Sequence, residues 1–337
     1  MNHFLRVLSV ALALFSAQGA ESYTRTEDII YGRKYGVALT MDVFKPEHPN
    51  GAAVLFMVSG GFFSAKEGIN PYLLQGFFDH GYTVFAIVHG SQPKFIIPEI
   101  TSDIHRAVRF IRHNASQWSI DTNKLGISGA SAGGHLSLTM GTQGKPGAAD
   151  AKDPVDRESS AVQAVGCFFP PTDFLNYGSP GVDAVGVGIL SQFKPAFGPK
   201  SDTAESRQTY GKEISPIYFL SSNTPPTLII HGDADKLVPI QQAEIFIAKA
   251  KEFGVKAELV RREGKEHGWV GIEKDAGRHL VGETRHQCAG EAKASRTHIS
   301  AAVEAAGAGL VHQAAGRLAV LRHGCVIEVL ARARARF

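Results

Sequence analysis

The chain shows its architecture most plainly in Lys124-Leu125-Gly126-Ile127-Ser128-Gly129-Ala130-Ser131-Ala132-Gly133-Gly134-His135-Leu136-Ser137-Leu138. A short apolar run, suited to a strand, ends at Ser128. A Gly-x-Ser-x-Gly turn follows, and an apolar helical pattern starts at His135. Where a strand reverses so sharply into a helix, the backbone is crowded and only small residues fit beside the serine. Its hydroxyl is pushed out at the strand end. The five-residue string alone is weak evidence, and the strand before it and the helix after it make it specific.

Working outward, the same alternation repeats. Residues 23–30 and 37–44 form two extended segments about a turn at 32–36, an antiparallel opening pair. Apolar strand runs then fall at 52–58, 82–88, 124–128, 162–169, 227–230 and 257–260. Between Pro98 and Trp118, Ile100, Ile104, Val108 and Ile111 recur at helical spacing, with Pro98 placed for a helix start. A second helix is expected over 239–253, with Gly254 as its stop. Short apolar strands alternating with amphipathic helices predict an α/β fold: a mostly parallel sheet covered on both faces, with chemistry at the carboxyl ends of its strands. Two stretches break the rhythm. Residues 144–160 are charged, and residues 176–215 are of a size for a loop or short cap.

A serine hydroxyl is a poor nucleophile until a base takes its proton, so a histidine and an acid should follow Ser131. His231-Gly232-Asp233-Ala234-Asp235 comes directly after the strand at 227–230. Glu266-His267-Gly268-Trp269 comes after the last strand. The chain order is therefore serine, aspartate, histidine.

On these three motifs, residues from about 24 to 275 resemble an α/β-hydrolase, specifically the small secreted esterases of the acetyl-xylan and feruloyl-esterase type. The resemblance implies Ser131 as nucleophile, His267 as base and Asp235 as the acid, with Asp233 and Asp173 as alternatives. It also implies an oxyanion hole after the strand at 52–58, where related esterases carry His-Gly-Gly-Gly. This chain has Ser59-Gly60-Gly61-Phe62-Phe63. Backbone N–H groups perform that task, so the donors are assigned to Ala132 with Gly61 or Phe62. Phe63, His89 and Trp269 flank the expected chemistry and are candidates for contact with substrate. His135 and His231 are read as structural.

Composition narrows the class. The 337 residues are 44% hydrophobic and 20% charged, enough apolar content for a core, which excludes a disordered or collagenous chain. A formal charge of +3 is too small and too dispersed to argue for nucleic acid. Arg6, an apolar run over 7–15 and small residues ending at Gly19-Ala20 match a secretory leader over 1–20. The run is too short for stable membrane insertion, so a secreted or periplasmic protein is expected. Cys167, within an apolar run, is expected to be a buried hydrophobe. The acidic group Asp150, Asp153, Asp156 and Glu158 lacks a calcium-ligand spacing and is read as a solvated loop. Neither a metal nor a cofactor is called for.

The expected activity is hydrolysis of a small-molecule ester through an acyl-enzyme on Ser131. Amide chemistry of the exopeptidase or arylformamidase kind is the rival, and a non-catalytic hydrolase-like binding module is a more distant one. The catalytic domain is expected over 21–275. From 276 to 337 the composition shifts to Arg and Ala, with nine basic and four acidic residues and five of the 14 histidines. This tail is read as a frameshifted or fused C-terminus. Translating the coding DNA in its other two frames should reveal an aromatic-containing helix that ends soon after residue 276, and its absence would count against that reading.

Overall fold

The computed structural model describes residues 23–282. The expected leader and residues 283–337 of the tail lie outside them. Among the described residues eight strands form one sheet in the order β1-β2-β4-β3-β5-β6-β7-β8. They are Tyr23–Lys34, Val37–Pro46, Ala53–Met57, Thr83–Val88, Leu125–Ala130, Ala164–Phe168, Thr227–Gly232 and Ala257–Arg262 for β1 to β8. The β1–β2 and β2–β4 pairings are antiparallel, and every pairing from β4 through β8 is parallel. This is the α/β-hydrolase fold.

Four longer helices pack on the sheet or its excursions: α1 (Ile97–His113), α2 (Ala132–Gln143), α3 (Ala204–Ile214) and α4 (Gln241–Glu252). Helix α1 starts where the sequence placed it, because the Glu99 carboxylate accepts the Ile96 N–H at 2.9 Å and Pro98 needs no donor. Its buried stripe is Ile97, Ile100, Ile104, Ala107, Val108 and Ile111. It does not run on to Trp118. The Asn114 side chain donates to the Phe110 carbonyl at 2.8 Å, breaking the helix before a separate short turn at Ala115–Trp118. Helix α4 begins at Gln241, two residues later than the periodicity suggested, because Pro239 and Ile240 form the entering turn.

Helix α2 is buried along its first nine residues. Its hydroxyls are satisfied within the helix: Ser137 donates to the Gly133 carbonyl, Thr139 to that of His135 and Thr142 to that of Leu138. Small residues let it approach the sheet. A Cβ at Gly129 would lie 2.6 Å from the Gly133 backbone, and one at Gly133 would lie 2.8 Å from the Met57 carbonyl oxygen at the end of β3.

The two irregular stretches are more ordered than expected. In 144–160, Asp153 and Asp156 pair with Arg106 at 2.7 and 2.9 Å, and Arg112 donates to the Ser159 carbonyl at 2.9 Å. The loop is thus laced to α1 rather than simply solvated. Residues 176–215 fold into helical turns and α3, with Phe197 and Tyr210 buried. Packing also continues past residue 275, since Ala276 is buried and Leu280 sits against Gly166 on β6. Cys167 is fully buried on β6, and burial pushes its thiol well up from its usual range.

Gly133→Ala should destabilise the fold by about 1–3 kcal/mol through overpacking against a backbone oxygen that has no freedom to yield. A thermal melt is expected to show a fall of about 2–4 °C per kcal/mol for a domain of this size.

Candidate active site

Because β3, β5, β6, β7 and β8 are parallel neighbours, their carboxyl ends open on one edge of the sheet. The register brings Met57 beside Gly129 and Ala130 beside Phe168, so the loop after β3 and the turn after β5 emerge side by side. Chain order reverses around β3, with β4 on one side and β5 on the other. This is the switch point at which such sheets bind ligands.

Ser131 sits on that turn at φ 55° and ψ −119°, a conformation that few side-chain-bearing residues adopt. It is held there by two bonds: its N–H donates to the Phe168 carbonyl at 3.0 Å, and its own carbonyl accepts the His135 N–H at 2.9 Å. Its Oγ lies 3.0 Å from His267 Nε2. On the other side of the ring, His267 Nδ1 lies 2.7 Å from Asp235 Oδ2. A carboxylate at Nδ1 keeps the ring proton there and leaves Nε2 as acceptor for the serine hydroxyl.

Asp235 is buried, with its Oδ1 accepting the N–H groups of Leu237 and Val238, both at 2.9 Å. Burial opposes its charge, but hydrogen bonds from His231, His267 and the Val238 N–H outweigh it and hold the carboxyl well below the usual carboxylate range. His231 is itself buried, with Nε2 2.8 Å from the Val238 carbonyl and 3.5 Å from Asp235 Oδ2, so it props the acid loop. The other two candidate acids are engaged elsewhere. Asp233 accepts the Gly264 N–H at 2.7 Å, bracing the turn after β8. Asp173 accepts from Leu175 N–H, Asn176 Nδ2 and the Tyr218 hydroxyl.

The oxyanion-hole candidates are also at this edge. Gly60 and Phe63 exchange backbone hydrogen bonds at 3.0 and 2.9 Å, closing a turn with Gly61 and Phe62 at φ 53° and 66°. Ala132 is the first residue of α2, where a helix leaves its N–H without an intrahelical partner.

The three candidate substrate contacts separate. Phe63 is half-exposed at the closing end of the turn. His89 follows the end of β4. It is buried, with Nδ1 2.8 Å from the Gly90 carbonyl, and burial pushes it down to about 4, so it is neutral near pH 7. Trp269 is likewise a packing residue: it is buried against Phe168 and Phe169, and its indole N–H donates to Asp275 at 2.9 Å. His135 is fully buried between Phe62 and Phe174, and burial pushes it too down to about 4. The sequence did not single out Phe169. Its ring lies 4.5 Å from the His267 imidazole and 5.4 Å from Trp269, packing between the two. Only its place at the end of an apolar strand hinted at this. Among the described residues no group of three His, Cys, Asp or Glu side chains is arranged to hold a metal ion.

The lowered Asp235 value fixes a sign. Its ionised form stabilises the folded state above the unfolded carboxylate range, and that contribution is lost as the pH falls through the folded value. The melting-temperature gap between wild type and Asp235→Asn should therefore be widest near neutrality and narrow below about pH 4. A gap that does not change with pH would contradict this.

Comparison with known proteins agrees with this architecture. A probable carboxylic ester hydrolase, LipM, of Mycobacterium tuberculosis is 29% identical over 236 residues, covering 68% of this chain and 52% of its own. The chain spans about half the length of the curated relatives it matches. Among solved structures, a truncated carbohydrate esterase from gut microbiota superposes with a TM-score of 0.65 at 24% identity, covering 77% of this chain and 95% of that one. Thermogutta terrifontis esterase 2, in a structure described as phosphonylated by sarin, gives 0.62 at 24% identity, over 76% of this chain and 92% of that one. At these identities the likenesses speak to the fold. The BD-FAE model, for bifunctional acetyl xylan/feruloyl esterases, matches residues 41–250, well over half of the chain. The chain belongs to the BD-FAE family of α/β-hydrolases.

Proposed function

We propose that this protein hydrolyses small carboxylic esters, with acetylated sugars, feruloyl esters and short-chain acyl esters as the substrate class. The observation that carries this reading is the continuous chain from Ser131 Oγ through His267 to Asp235, at 3.0 and 2.7 Å. The family, and relatives named as ester hydrolases and as an acetylxylan esterase, support the choice of ester and of acyl group.

In the first step His267 Nε2 takes the Ser131 proton as Oγ forms a bond to the ester carbonyl carbon. The carbonyl oxygen gains negative charge, which N–H groups at Ala132 and in the Gly61–Phe62 turn stabilise. Collapse of this intermediate breaks the ester bond, and the departing alcohol takes the proton from His267. Water then repeats the sequence on the acyl-enzyme: His267 accepts its proton, the acid leaves, and Ser131 recovers its hydrogen. Asp235 holds the imidazole in orientation and balances its transient positive charge. Each oxyanion donor is worth about 3–4 kcal/mol in comparable sites. The leader expected over 1–20 would place this activity outside the cytoplasm, where polysaccharide esters are found.

The test is hydrolysis of p-nitrophenyl acetate by wild type and Ser131→Ala, with an anilide and N-formylkynurenine as amide controls. The expected result is hydrolysis of the ester in preference to either amide, falling about 10⁴-fold or more in the variant. A fluorophosphonate should add its mass to wild type and leave Ser131→Ala unmodified. Equal ester rates in the two proteins would overturn the proposal.

A further inference from the structure

Given the esterase reading above, on which this inference rests, an oxyanion hole works only if its donors are already in place when charge develops. The turn that carries the candidates Gly61 and Phe62 is a demanding one. Gly61 and Phe62 both have left-handed backbone, which for a bulky residue such as Phe62 is rarely adopted. The Gly60–Phe63 bridge closes the turn but does not orient it relative to Ser131.

We infer that Gln92, in the connection between β4 and α1, is a positioning residue that sets the orientation of the oxyanion turn. Its side-chain amide donates to the Gly61 carbonyl, and its backbone N–H donates to the Phe62 carbonyl at 3.2 Å. Two successive carbonyls of the turn thus face one residue. In a planar trans peptide the N–H points opposite to the C=O, so anchoring the Gly61 carbonyl on Gln92 aims the Phe62 N–H away from it. Gln92 is only 4% exposed, which limits competition from water for these bonds.

The surrounding contacts reinforce the same connection. Ser64 Oγ donates to the Val58 carbonyl at 2.6 Å and accepts the His89 N–H at 3.1 Å. Ser91 Oγ accepts the Ser64 N–H at 3.2 Å and donates to the Gln92 carbonyl at 3.0 Å. The Phe193 ring lies against Gly61, so close that a Cβ there would be 2.4 Å from it. The ring closes off one side of the turn and Gln92 holds its carbonyls. Gln92 makes no hydrogen bond to Ser131, His267 or Asp235, so it acts through the turn and not on the reacting atoms.

The group that matters is a donor facing a carbonyl oxygen. Gln92→Met keeps the length and removes the donor. Gln92→Glu offers a donor only when its carboxyl is protonated. The experiment measures kcat and KM for p-nitrophenyl acetate, with kcat expressed per site titrated by a fluorophosphonate. It also measures inhibition by an alkylboronic acid, whose tetrahedral serine adduct places an oxygen in the hole. In Gln92→Met, kcat per titrated site should fall about 10- to 100-fold, with KM within about threefold and boronate inhibition weakened in parallel with kcat/KM. The rate of Gln92→Glu relative to Gln92→Met should rise as the pH falls. Gln92→Glu also serves if the methionine variant does not fold. Wild-type kcat per site in the variants would overturn the inference. So would a loss that disappears on normalising to titrated sites, because only the folded fraction would then have changed. A wild-type protein that neither hydrolyses the ester nor takes up the phosphonate would instead overturn the esterase reading.

Discussion

The rest of the site depends on the close approach of helix α2 to the ends of β3 and β5. At Gly129 and Gly133 the backbone of the turn, the helix and the Met57 carbonyl lie within the space a single methyl group would fill. This packing forces Ser131 into left-handed backbone and turns its hydroxyl outward. It also leaves the first N–H groups of α2 pointing at the same edge. The strain at Ser131 persists because bonds to the Phe168 carbonyl and from the His135 N–H surround it on both sides.

The parallel sheet carries that local geometry to the other components. Asp235 and His267 lie more than a hundred residues downstream of Ser131, yet β7 and β8 sit two and three strands from β5 and end at the same edge. Their loops are tied to one another: the Ala234 N–H donates to the Lys265 carbonyl, and Asp233 accepts the Gly264 N–H. Phe169 packs against the imidazole and Trp269 against Phe169, and Trp269 is fixed in turn by Asp275, which pairs with Arg262 at 3.0 Å. Three histidines thus have different environments within one fold. His267 lies between Ser131 and Asp235, His231 props the acid loop, and His135 is sealed among aromatic rings.

Much of this was legible in the chain itself. Strand runs at 52–58, 82–88 and 227–230 match β3, β4 and β7 to within a residue or two, because strands buried on both faces must be continuously apolar. The burial of His89 and Trp269 was not legible. A histidine just past a strand, or a tryptophan in the loop that follows one, has the same local sequence whether its ring faces solvent or packs inward, and neighbours distant in the chain decide which. The acidic loop at 144–160 was equally ambiguous, since the partner of Asp153 and Asp156 is Arg106, nearly fifty residues earlier.

The sequence by itself determined the fold class, the position of the Ser131 turn and the order of serine, aspartate and histidine, because small residues around a tight turn and apolar periodicity are local requirements that the chain must write out. Only the tertiary structure decided which aspartate meets His267, which aromatic ring packs against it, and which residue anchors the Gly61–Phe62 turn. Those outcomes depend on strand order and register, which bring Asp235, Phe169 and Gln92 to their partners from separate parts of the chain.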